Sequence, residues 1–147
     1  MKSIGILLII VVVGCYGLID VCPGGDIKKI FADCLQEYGG DKALLTDWIA
    51  FKKAQDDKSK CFRTCAMKNC GWFDSNGKFT PEVPQRAAYV LFGGDESNVP
   101  LIAETGKRCL SSLQYDEKNI CNSGENWSRC LLGHCKNCSL AVLATLL

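Results

Sequence analysis

A single histidine, His134, stands in the 147 residues of this chain, so a triad built on imidazole would rest on one residue set beside two cysteines. Charge of one sign is missing as well, with 17 Lys and Arg against 16 Asp and Glu. Signs so balanced and interspersed create no field for a phosphate backbone, which argues against nucleic acid as a partner. No pair of carboxylates is marked out by its surroundings, and the charged residues read as solvated surface. No segment shows a convincing strand alternation, and there are no repeats, linkers or low-complexity tracts. Nothing here supports catalysis: we expect no enzyme, no cofactor and no metal.

Long hydrophobic runs are scarce too. The chain opens Met1-Lys2-Ser3 and continues in an apolar run from Ile4 to Val13, followed by Gly14, Gly17 and the acidic Asp20. A bilayer needs roughly 20 apolar residues, and this run is half that. A positive start, a short apolar stretch and small residues after it describe a secretory signal peptide, with the cut placed after Gly17. A buried first helix or strand is one competing reading. A bacterial lipobox, Val12-Val13-Gly14-Cys15, is another, and its pattern is loose. The expected domains are therefore a signal peptide at 1–17 and one mature domain at 18–147.

What the chain has in abundance is cysteine. Ten of its 11 lie beyond the leader: Cys22, Cys34, Cys61, Cys65, Cys70, Cys109, Cys121, Cys130, Cys135 and Cys138. An even number in an exported chain reads as a disulfide framework, because the oxidising route lets such bonds persist. About 130 residues also suffice to bury a real core, so the bridges supplement packing.

Six segments carry helical signals. Over 24–38, residues Ile27, Ile30, Phe31, Cys34, Leu35 and Tyr38 fall on one face, and Gly39-Gly40 ends the run. Asp41 can cap a second helix over 41–54 that presents Leu44, Leu45, Trp48 and Ile49. A third is expected over 58–73, before the tight turn Asp74-Ser75-Asn76-Gly77. Thr80-Pro81 opens a fourth to about Phe92, where Gly93-Gly94 breaks it. Asn98 and Pro100 start a fifth to about Leu113, and a sixth covers about 117–133 with Gly124 as its weak point. The tail at 139–147 is almost wholly apolar. Cys61 and Cys65, four apart, face one side of the third helix. Cys121 and Cys130, nine apart, turn through about 900° and lie on opposite faces of the sixth, which can be pinned to a different neighbour on each side.

The order from Cys34 through Cys61, Cys65, Cys109 and Cys121 to Cys130 leaves gaps of 26, 3, 43, 11 and 8 residues. This resembles the six-cysteine signature of insect odorant-binding and pheromone-binding proteins. The stretch Cys61-Phe62-Arg63-Thr64-Cys65, running on to Gly71-Trp72-Phe73-Asp74-Ser75-Asn76-Gly77-Lys78-Phe79, is similar to the third-helix segment of that family. The resemblance implies an all-α fold, a compact bundle of about six helices around an apolar cavity, cross-linked by disulfides. It also implies the pairing Cys34–Cys65, Cys61–Cys121 and Cys109–Cys130. Each would close a loop worth roughly 3–4 kcal/mol in the chain-entropy account. Cys22, Cys70, Cys135 and Cys138 depart from the pattern; two further bridges are expected, with the tail tied back to helix three or to the amino-terminal arm.

The function implied is a secreted, extracellular carrier that binds odorants, pheromones or other small hydrophobic molecules reversibly. The implied partners are that ligand and a chemoreceptor at the sensory membrane, with the carrier a monomer or weak homodimer. By the same resemblance the pocket is lined by Ile27, Phe31, Met67, Trp72, Phe73, Phe79, Ala88, Leu91, Ala103, Trp127 and Leu131, with Trp48 a further candidate. The alternative for each is an ordinary core position outside the cavity. Arg63 is expected to reach solvent, or else to anchor a ligand carboxylate, and the tail beyond Cys138 could fold over or into the cavity. The other function considered is a non-olfactory scavenger or defence protein of the same fold, in saliva, venom or seminal fluid.

Rival readings fare worse. Cys130, His134, Cys135 and Cys138 have spacing suited to zinc, but export favours oxidation and Cys130 has a partner in the family pattern. Cys135-Lys136-Asn137-Cys138 as a redox pair lacks the strand before it. Plant lipid-transfer proteins need an adjacent Cys-Cys and a Cys-x-Cys, and saposin-like chains an early Cys-x-x-Cys; none occurs here. Asn126-Trp127-Ser128 and Asn137-Cys138-Ser139 match the N-glycosylation pattern, and at least one is expected to stay unmodified in disulfide-held chain.

Overall fold

In the computed structural model, Asp26 sits in extended backbone and its side chain accepts the Lys29 N–H at 2.9 Å, capping helix α1, Ile27–Glu37. The helices that follow are α2 (Ala43–Ile49), α3 (Asp57–Asn69), α4 (Val83–Leu91), α5 (Val99–Ser111) and α6 (Ile120–Gly133), with one 3-10 turn, Glu96–Asn98, before α5. The structure describes residues 20–92, 96–136, 138–140 and 143–144. The leader expected at 1–17, the breaker Gly93-Gly94 and the sequon residue Asn137 lie outside them. Among the described residues there are no strands, only isolated bridges at Phe73–Phe79 and Phe92–Ser139. No described helix is long and apolar enough to cross a membrane.

Three helices end in the same way, and their ends position the interior. After α1, α2 and α3 the chain enters the left-handed region at Gly39 (φ 96°), Phe51 (φ 57°) and Gly71 (φ 84°). The next residue then donates back into the last turn: Gly40 to Leu35 O at 2.7 Å, Lys52 to Asp47 O at 2.9 Å, Trp72 to Met67 O at 3.0 Å. Glycine is the ordinary occupant of that position because it has no Cβ to clash. Phe51 takes it without that freedom, so α2 stops at Ile49 and not at 54 as its sequence suggested. The fourth helix is also shorter than expected: Thr80 O accepts from Val83 N at 3.2 Å in a preceding turn, and regular helix begins only at Val83.

Disulfides lock the bundle at its crossings. Cys34–Cys65 joins α1 to α3, Cys61–Cys121 joins α3 to α6, and Cys109–Cys130 joins α5 to α6. The two cysteines of α6 thus reach different neighbours, as their half-turn offset requires. The remaining four form Cys22–Cys70 and Cys135–Cys138. The arm is therefore tied to the end of α3, but the tail is not bonded to either place expected for it. Its two cysteines, three residues apart with Cα atoms 5.5 Å apart, close on each other. Backbone bonding holds the tail instead, Ser139 N donating to Leu91 O at 3.1 Å.

Two glycines set how closely helices approach. A Cβ on Gly124 of α6 would lie 2.4 Å from Thr64 Oγ1 and 3.0 Å from Met67 Cε on α3. One on Gly106 of α5 would lie 3.0 Å from Pro84 Cβ on α4.

Candidate ligand-binding interior

Helices α1, α2, α3, α4 and α6 converge on two small apolar hollows, each of about 40 Å³. Trp48 from α2, Trp72 from the turn after α3 and Val90 from α4 line both, and so stand between them. The first hollow is completed by Ala87 and Leu91 of α4, by Trp127, Ser128, Leu131 and Leu132 of α6, and by Leu140 of the tail. The second is completed by Val21 of the arm, Ile27 and Phe31 of α1, Ala66, Met67 and Cys70 at the end of α3, and Leu143 of the tail. All three tryptophans of the chain thus face this interior.

Of the residues the sequence nominated, Ile27, Phe31, Trp48, Met67, Trp72, Leu91, Trp127 and Leu131 line one hollow or both. Phe73, Phe79, Ala88 and Ala103 line neither. Phe73 stacks on Phe79 at 4.2 Å across the Asp74–Gly77 turn, and Phe79 in turn packs on Trp127 at 4.9 Å. They buttress the wall from behind. Ala88 is wholly buried on α4, one position round from the lining face. Ala103 is on α5, a helix that packs against α4 and α6 from outside and sends no side chain into either hollow.

Residues that sequence reasoning missed have a legible signal. Val90 lies three residues after Ala87 and Leu132 four after Ser128, each pair on one helix face. The tail leucines were visible as an apolar run, and both are buried, with Leu140 5% and Leu143 4% exposed.

Behind Trp48 lies a buried charge pair. Arg63 and Glu125 are 2% and 3% exposed, and Arg63 Nη1 donates to Glu125 Oε2 at 3.1 Å and to Oε1 at 3.4 Å. Arg63 Nη2 donates to Lys52 O at 2.7 Å, and the Ala54 N–H donates to Glu125 Oε1 at 3.0 Å. Arg63 therefore does not reach solvent. Burial pushes its guanidinium below the ordinary arginine value, with Glu125 opposing the shift. The guanidinium carbon stands 5.9 Å from the ring of Trp48, within cation–π range. Nor does Arg63 line a hollow. The pair ties α3 and α6 to the backbone just after α2, in the same loop where Arg129 donates to Phe51 O at 3.0 Å.

The cysteines imagined for zinc are spent in disulfides, Cys130 on Cys109 and Cys135 on Cys138. Among the described residues no cluster of three or more potential metal ligands occurs. Asn126 is exposed on α6.

The sequence profile of the PBP/GOBP family matches residues 25–134, which span all six helices. The chain belongs to that family. General odorant-binding protein 28a of Drosophila melanogaster is 30% identical over 103 residues, 70% of this chain and 71% of that protein. The solved structure of an odorant-binding protein from the same fly, OBP28a, superposes with a TM-score of 0.63 at 26% identity, covering 82% of this chain and 93% of that one. Cys22, Cys135, Cys138 and the tail leucines fall outside the residues matched by the PBP/GOBP profile.

Proposed function

We propose that this protein is a secreted carrier that takes up small hydrophobic molecules reversibly in its apolar interior and performs no chemistry on them. The observation that carries this reading is the convergence of all three tryptophans on two adjoining apolar hollows, in a chain of the PBP/GOBP family whose relatives bear the name odorant-binding. Export supports it: a leader over 1–17, removed on secretion, and five disulfides of the kind that persist outside the cell. The receiving partner is a chemoreceptor at a sensory membrane, and the carrier acts as a monomer or weak homodimer.

The hollows set the mechanism. Sites for small ligands usually measure roughly 300–1,000 Å³, so two spaces of about 40 Å³ are too small to hold one as they stand. Leu140 fills one side of the first and Leu143 one side of the second. A ligand enters by taking the place of these two side chains, exchanging one set of apolar contacts for another. About ten buried methylenes gain roughly 8 kcal/mol. Lost freedom of ligand and tail subtracts from that, and the ligand's remaining groups offset part of the loss. Micromolar affinity, about −8 kcal/mol, is expected.

The test is displacement of a fluorescent apolar probe from refolded 18–147 by a panel of odorant-sized molecules, with mass spectrometry of anything co-purified. Saturable probe binding, reversed by members of the panel, is the expected result. A protein that binds no probe at any concentration would not be a carrier.

A further inference from the structure

Two larger spaces open on the surface, along α5 where it passes the end of α6. One, of about 250 Å³, is lined by Leu101, Ile102, Thr105, His134 and Lys136 among others. The next, of about 320 Å³, shares Leu101, Thr105 and His134 and adds Arg108 and the two cysteines of the Cys109–Cys130 bond. Sharing three residues, the two halves form one continuous groove. It has no lining residue in common with the interior hollows. Its halves approach or exceed the roughly 300 Å³ at which small-ligand sites begin.

The groove combines an apolar wall with charge of one sign. Ile102 is buried, and the Thr105 hydroxyl is taken up by Leu101 O at 2.9 Å. Leu101 is 65% exposed, the one large hydrophobic side chain left so open among the described residues. A lone exposed leucine is ordinary; this one stands among cations. Arg108 and Lys136 are exposed, as is the imidazole of His134, and among the described residues no Asp or Glu lines either half. Glu104 precedes Arg108 by one turn of α5, yet no ion pair joins Arg108 or Lys136 to any described residue. Cations at helix ends complement the macrodipole, but that needs no apolar groove beside them.

We propose that this groove is a second binding site, for a small amphipathic anion whose apolar chain lies along Leu101 and Ile102 and whose carboxylate is held by Arg108 and Lys136, with His134 beside them. A guanidinium pairs with a carboxylate through two parallel hydrogen bonds. The groove is open, so the anion keeps part of its water and the full penalty of burying a charge does not arise. Exposed ion pairs alone bind weakly, and contact of the chain with Leu101 and Ile102 supplies the rest. The site is separate from the interior and does not depend on the carrier reading.

The chain's single histidine gives one imidazole resonance, and it lies in the groove. The experiment follows that resonance by proton NMR in oxidised, refolded 18–147 at constant pH, titrated with octanoate, 1-octanol or acetate. Octanoate shifts it saturably. Octanol, which has the chain without the charge, and acetate, which has the charge without the chain, act at least about tenfold more weakly. The double variant Arg108→Gln/Lys136→Gln weakens octanoate about tenfold, and Leu101→Ala weakens it several-fold. Thermal midpoints stay unchanged, because all three side chains are exposed. An octanol shift equal to that of octanoate would mean that His134 reports on the interior, and would overturn the assignment. So would octanoate binding that neither variant moves, or no saturable shift at all. None of these results touches the carrier reading, which displacement of the apolar probe tests separately.

Discussion

Arg63 and Glu125 show how much a single pair can decide and how little of it a sequence displays. They stand 62 positions apart, and each alone looks like a surface charge. Burial within the same contact makes them dependent on each other, because removing one leaves the other charged, dry and alone. Glu125→Ala is expected to cost about 3–5 kcal/mol of stability, read from urea unfolding with the disulfides intact. Replacing both residues by apolar ones of similar volume should restore most of it, since the desolvation penalty then disappears with the charges. A Glu125→Ala variant as stable as the parent would mean that the pair is hydrated and does not hold the loop after α2. Phe31 and Trp48 were legible from their spacing on apolar faces, and Met67 and Trp127 through the family resemblance; all four are buried. Phe73 and Phe79 were not separable from them, because an aromatic beside a cavity and one behind its wall look alike in a sequence.

At the scale of elements, all six helices were readable, and the first ended close to where Gly39-Gly40 signalled; the third, expected to run to 73, ends at Asn69 because the chain turns left-handed at Gly71. The end of α2 was not readable, because Phe51 adopts the left-handed conformation that sequence reasoning assigns to glycine or asparagine. Gly124 reverses the usual argument. In isolation it weakens α6, and Ala there should add about 1 kcal/mol of helix stability. In the bundle its missing Cβ lets α6 approach Thr64 and Met67 of α3 beside the Cys61–Cys121 bond. Thr64 is buried and β-branched, so it cannot swing aside. Gly124→Ala is therefore expected to destabilise by about 1–3 kcal/mol, measured by thermal unfolding of the oxidised protein. A gain in stability would show that the crossing has slack.

On the scale of the whole molecule, the six-cysteine order made the all-α family core legible before any coordinates. The closure of the interior was only partly so. The sequence showed an apolar tail and four surplus cysteines, but pairing depends on which chain ends meet in space, and spacing alone does not hold that. In the fold the arm is bonded to α3, the tail is hydrogen-bonded to α4, and Leu140 and Leu143 each line one of the two hollows. The central claim is that this greasy interior opens to a guest at the expense of the tail. The most direct measurement is the intrinsic emission of Trp48, Trp72 and Trp127 during titration with an uncharged apolar ligand, comparing 18–147 with a chain ending at Cys138. The account predicts a saturable change at micromolar ligand in both, with tighter binding once the tail leucines are gone. Emission that stays constant in both chains, or binding that weakens without the tail, would contradict it.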